Sequence, residues 1–155
     1  MKKINDCEIT KAINAPLILK KVLVQRADSK NRNGRKYPKA ILEREIAAYN
    51  DNFVKSRRAL GELDHCNENT VNLKNVSHLF TEMWWEGDDV YANIEVLNAP
   101  EFPAGRIMEG LIKRRIPVGF STRGMGSVTE LDENTVEVND DFSLLCIDAV
   151  SYEST

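Results

Sequence analysis

The chain has 155 residues, 29% of them charged, and a formal net charge of −3. That length suits a single domain over residues 1–155, able to bury about two-thirds of its unfolded surface without staples. The mildly acidic balance argues against a general nucleic-acid binder, leaving only local basic patches open, and no apolar run approaches the ~20 residues of a membrane span.

Three cysteines, Cys7, Cys66 and Cys146, show no C-x-x-C spacing. An odd, scattered set points to reduced thiols. The start lacks a signal-peptide core. A soluble, cytoplasmic protein is the expectation.

Residues 1–15 are mixed in character and read as a loosely held arm. Residues 17–25 are apolar and β-branched enough for a strand. A polar run over 28–36 follows, with Asn33-Gly34 as its turn signal. Pro38 opens a helix whose Leu42, Ile46, Tyr49 and Phe53 share one face. Residues 59–64 read as a strand and 67–69 as a loop. Two strands over 76–85 and 90–97 flank a hairpin turn at Glu86-Gly87-Asp88-Asp89. Pro103 starts a second helix with Ile107, Met108, Leu111 and Ile112 as its stripe. Residues 118–123 form a strand, 131–134 a turn and 142–150 a last buried strand. Many strands and two separated helices suggest an α+β domain on a β-barrel or highly curved sheet.

The chain has two histidines, so a serine hydrolase built here has almost no choice of base. A hydroxyl needs a neighbouring base to become nucleophilic at neutral pH, and imidazole suits that task. His65 closes Leu60-Gly61-Glu62-Leu63-Asp64-His65. Ser121 lies in Val118-Gly119-Phe120-Ser121-Thr122-Arg123-Gly124. Strand alternation sets Gly119, Ser121 and Arg123 on one face, with open space at Gly119 beside the hydroxyl. Arg123 could meet a developing negative charge or an acidic substrate. Gly124 and Gly126 allow backbone amides to turn toward a ligand, as oxyanion sites require. The bland alternative is a glycine-rich strand end with a solvent-facing arginine. The G-x-S-x-G elbow is absent, because Arg123 stands at its last position.

Asp148 is the odd residue of an apolar strand. A carboxylate buried there costs several kcal/mol unless paired. Its partner is either a histidine N–H, as in a catalytic triad, or one of the arginines. Glu62 and Asp64 are poorly placed to serve His65 in an extended segment. His78, mid-strand, reads as a packed or surface residue. A zinc site at Asp64, His65 and Cys66 lacks further ligands. Trp84-Trp85 reads as one core ring and one exposed or interface ring. Lys113-Arg114-Arg115 complements a helix dipole, or contacts phosphate or acidic peptide.

Five blocks in order, NRNGRKYP at 31–38, ALGELDH at 59–65, MWWEGDDVY at 83–91, GFSTRGMGS at 119–127 and IDAV at 147–150, resemble the prohead core proteases of T-even-type tailed phages. That family is related in fold to the herpesvirus maturation proteases, which implies a bent β-barrel of mostly antiparallel strands wrapped by a few helices. The resemblance implies His65 as base, Ser121 as nucleophile and Asp148 as third member, where the herpesvirus relatives carry a second histidine. It implies cleavage of scaffold core proteins and the major capsid protein precursor, after glutamate with Leu or Ile two residues earlier. The place would be the assembling prohead in the host cytoplasm, with no metal or cofactor. Arg123, Arg114 or Arg115 would pair the substrate glutamate, and a homo-oligomer is left open. Two departures stand out. Cys66 replaces the proline common after the histidine, loosening that loop. Family members usually continue past this ending, so a trimmed or processed form is one expectation. The competing readings are a catalytically inactive scaffold or capsid-assembly module of the same fold, and an anion-binding protein using residues 119–126.

Overall fold

The computed structural model describes residues 16–153. The arm at residues 1–15, with Cys7, lies outside the described residues. Strand β1 runs Leu17–Arg26 and β2 is the two-residue Arg35–Lys36. Helix α1 spans Lys39–Tyr49 and runs on into a π-helical turn at Asn50–Val54. Then come β3 (Leu60–Glu62), a 3-10 turn (Leu73–Asn75), β4 (Val76–Glu86) and β5 (Asp89–Val96). Helix α2 (Pro103–Lys113) precedes β6 (Gly119–Met125), β7 (Val128–Asp132), β8 (Thr135–Val138) and β9 (Ser143–Val150).

The main sheet has the order β1-β5-β4-β3 and is antiparallel throughout. β5 shows why it forms: Val90, Ala92, Ile94 and Val96 all face inward, alternating with half-exposed neighbours. Gly87 takes φ 62 in the turn to β4, a conformation that costs glycine nothing. Register shifts in β1 and between Phe80 and Glu82 bend the sheet. β6 pairs with β9, and β2, β8 and β7 make a third small sheet in which β2 lies parallel to β8.

The expected closed barrel is not found among the described residues. β3 is only three residues long, and it passes to β9 through a single parallel bridge, Leu63 to Ala149. Between β6 and β1 the link is a side-chain bond, Gln25 Nε2 donating to Thr122 Oγ1 at 2.8 Å. The strands curve around one core, yet their backbone pairing stays split into three sheets.

Leu42, Ile46 and Tyr49 of α1 are buried as their spacing predicts, but Phe53 is 39% exposed. The π turn adds a residue to the repeat and rotates Phe53 away from the stripe. In α2 the buried face is Ala104, Gly105 and Met108, while Ile107 points outward at 55% exposure. A Cβ on Gly105 would collide with the Leu97 carbonyl, so this glycine lets the helix lie directly on the chain after β5. The core joins Phe80, Leu42, Ile46, Ile94, Met108 and Ile147. His78, Phe80 and Phe120 meet edge to face within it.

Candidate active site

Ser121 and Asp148 are Cα partners across the β6–β9 ladder. Directly opposed residues present their side chains on the same face. Arg123 and Cys146 are the next such pair on that face. Ser121 and Arg123 are nearly buried and Asp148 is fully so.

His65 arrives from a different element. β3 ends at Glu62, Leu63 bridges to Ala149, and the Asp64 N–H donates to the Ala149 carbonyl at 2.7 Å. Asp64 then takes φ 66. Aspartate tolerates this left-handed conformation better than most residues. The reversal turns the chain and delivers the His65 ring to Asp148, with Nδ1 2.7 Å from Oδ2. A carboxylate can only accept here, so Nδ1 carries the proton and Nε2 is left as the basic nitrogen. His65 and Ser121 line one cleft of about 240 Å³, together with Asn31, Asn33, Arg35 and Tyr37.

Both partners expected for Asp148 are present. Besides His65 it accepts from the Glu62 N–H at 3.0 Å and from Arg123, with Nε 3.0 Å from Oδ2 and Nη2 3.2 Å from Oδ1. Arg123 in turn donates from Nη2 to Glu62 Oε2 at 2.6 Å. Its Nη1 reaches Cys66 Sγ at 2.7 Å and the Glu68 and Thr70 carbonyls at 3.1 and 3.3 Å. All three guanidinium nitrogens therefore have partners inside the protein. Burial works to raise the Glu62 carboxyl pKa, but hydrogen bonds led by Arg123 override it and hold the group below the usual range. Burial likewise works against the Arg123 charge, and the bond to Glu62 with the field of Asp148 keeps its pKa above the ordinary value. Desolvation, aided by Asp148, pushes the Cys146 thiol up to about 12, so it stays protonated beside Arg123.

The glycines of this region lie close against their neighbours. A Cβ on Gly124 would lie 2.5 Å from the Phe142 ring and 2.7 Å from the Ser143 carbonyl oxygen. The space over Gly119, expected to be open, is filled by the Glu153 side chain. His78 is fully buried, as a packed histidine should be, with Nε2 on the Ile147 carbonyl and Nδ1 on Ser77 Oγ, both at 2.8 Å.

A family model described as prohead core protein serine protease matches residues 5–155. The chain belongs to the prohead core protein serine protease family. It is 36% identical over 129 residues to the prohead core protein protease of Enterobacteria phage T4, covering 83% of this chain and 60% of that protein. It thus spans about 60% of the length of that curated relative. Among solved structures it is similar to the bacteriophage T4 capsid assembly protease, with a TM-score of 0.82 and 33% identity over 87% of this chain and 81% of that one.

In this prohead protease family member, the sequence had marked His65, Ser121 and Asp148, and the fold gathers all three at the β6–β9 ladder. It had not marked Glu62 as the partner of Arg123, nor the 31–37 segment as a wall of the cleft. Glu62 carried half a signal: a carboxylate between Gly61 and Leu63 in a strand needs a cation, but nothing in the sequence selects Arg123 among the basic residues. The 31–37 segment stood out only as one block of the family resemblance, because its polar turn residues otherwise look like any surface loop.

Proposed function

We propose that the chain is a serine endopeptidase of capsid maturation, with Ser121, His65 and Asp148 as its catalytic residues. The observation that carries this reading is the 2.7 Å bond from His65 to a fully buried carboxylate directly opposite Ser121. Ser121 Oγ forms a bond to the scissile carbonyl carbon while His65 Nε2 takes the hydroxyl proton. The imidazolium then gives that proton to the departing amine as the C–N bond breaks. A water molecule repeats the sequence on the acyl-enzyme and frees Ser121. Asp148 holds the imidazole in the tautomer with Nε2 basic and stabilises its charged form. Arg123 is a positioning residue here: it fixes Asp148 and Glu62. Gly124 lines the cleft near Ser121.

The substrates in this reading are scaffold core proteins and the capsid protein precursor, cut after glutamate inside the assembling prohead. Family membership and the names of the relatives support the substrate class. The test is co-expression of the chain with a scaffold substrate. Ser121→Ala should fold and leave the substrate intact. Continued cleavage by this variant would overturn the assignment.

A further inference from the structure

The cleft raises a question that the catalytic residues leave open: what reads an acidic side chain next to Ser121? Arg123 lies close, but its guanidinium nitrogens are already engaged with Glu62, Asp148, Cys66 and two carbonyls. Arg114 and Arg115 follow the end of α2 and, like Arg32, are not among the residues that line the cleft itself, whereas Arg35 is.

A glutamate of the chain itself marks another place. Gly119 is buried and lies two residues before Ser121 on the same face of β6, a separation of about 7 Å along a strand. The missing side chain at Gly119 leaves a floor, and Glu153 rests on it. A Cβ built there would lie 2.5 Å from Glu153 Cβ and 2.7 Å from Cδ, and would collide with Oε2. Arg32 holds this glutamate from above, with Nη1 3.7 Å from Oε1 and 3.4 Å from the backbone carbonyl oxygen. Its guanidinium also stacks on Tyr152 at 4.6 Å.

Arg32 stands on a well-built loop. Asn31 Oδ1 accepts from the Asn33 and Arg35 N–H groups, both at 2.9 Å. Gly34, at φ 76, closes the turn against the Asn134 carbonyl. The same loop contributes Asn31, Asn33 and Arg35 to the wall of the Ser121 cleft. A glutamate carboxylate, a side-chain-free floor and an arginine thus meet one strand step from the nucleophile.

We infer that Gly119 and Arg32 form the subsite that takes the acidic side chain of a protein substrate, and that Glu153 fills this subsite in cis. The inference rests on the protease reading above. Glycine at 119 provides the volume and Arg32 the charge. Glu153 is then a competitor that a substrate glutamate must displace. Its salt bridge is half-exposed and correspondingly weak, which suits a contact that has to open.

The test uses the full chain and a pair of peptides that differ only in Glu or Gln at the cleavage position, with fluorophosphonate labelling of Ser121 as an independent readout. The wild type should favour Glu. Arg32→Ala should cut the Glu-to-Gln ratio of kcat/KM at least tenfold, through loss on the Glu peptide, with labelling of Ser121 unchanged. Arg32→Lys should retain part of the ratio. Glu153→Ala should lower KM for the Glu peptide without a change in kcat. Labelling retained with an unaltered ratio in Arg32→Ala overturns the subsite while leaving the protease standing. The same holds if Arg35→Ala, and not Arg32→Ala, abolishes the ratio. Absence of Ser121 labelling in the wild type would overturn the protease reading itself.

Discussion

Asp148 concentrates the chemistry of this molecule in one side chain. It is fully buried and shares its two oxygens among His65, Arg123 and the Glu62 N–H. Removing one member of such a buried charge set costs about 3–5 kcal/mol, because the other charges lose their compensation. Asp148→Asn is milder, since the volume is kept and Arg123 retains Glu62. The amide can also present an N–H to His65, which favours the wrong tautomer. We expect a lowered melting temperature with the fold intact, and a kcat reduced by roughly ten-thousand-fold. Circular dichroism and a peptide assay on the same preparation measure both, and a kcat within tenfold of wild type would contradict the role given to Asp148.

At the scale of elements, β3 matters more than its three residues suggest, because it aims His65. The His78 ring lies across it: a Cβ on Gly61 would meet both that ring and the Ile147 carbonyl oxygen. Gly61→Ala should therefore push β3 from β9, costing about 1–3 kcal/mol and lowering kcat in the molecules that remain folded. A urea titration with activity scored per folded molecule checks this, and wild-type values for both would refute it. The hairpin of β4 and β5 was legible in the sequence because alternation and turn residues agree. β7 was not, since all five of its residues are exposed and no inner face marks it. β2 is too short to carry a pattern, and the α2 stripe holds at Met108 and Ile112 but fails at Ile107, because a glycine contact on Leu97 helps set the buried face. His65, Ser121 and Asp148 were legible because histidines are scarce and a carboxylate in an apolar strand needs a reason. The Glu62–Arg123 pair joins residues 61 apart in sequence, and Arg32 meets Glu153 across 121 positions; only folding relates them. Among the Leu/Ile-x-Glu triplets, 41–43 lies in α1, 60–62 in β3 and 107–109 in α2, where the backbone is held. Leu131-Asp132-Glu133 sits at the tip of the β7–β8 hairpin, on an edge strand and exposed. If the chain has the proposed endopeptidase activity and cuts itself after glutamate, the first cut should follow Glu133. Mass spectrometry of aged enzyme beside Ser121→Ala decides it, and a first cut within α1, β3 or α2 would count against it.

For the whole molecule, acid should loosen the fold in two stages. Burial, opposed by the Ile147 carbonyl and Asp148, takes His78 from 6.5 down to about 4. Above pH 6.5 the imidazole is neutral in both states. As pH falls from 6.5 toward 4 only the unfolded chain takes up the proton, so stability drops by roughly 3 kcal/mol in all. Below that both states are protonated and this slope ends. Glu62, held below the usual carboxylate range, withdraws its contribution only as pH falls through its lower folded value. His78→Gln should flatten the first stage and spare the second, as urea midpoints at several pH values would reveal; an unchanged slope between 6.5 and 4 would exclude His78 as its source. The β6–β9 ladder has a different consequence. Its seven Cα pairs join Ser121 and Asp148 without using the covalent chain between them. A molecule nicked after Glu133 is then a two-piece complex whose halves stay mated while crowded together and part on dilution. For such a molecule, the fraction that keeps the proposed site assembled after the nick depends on protein concentration.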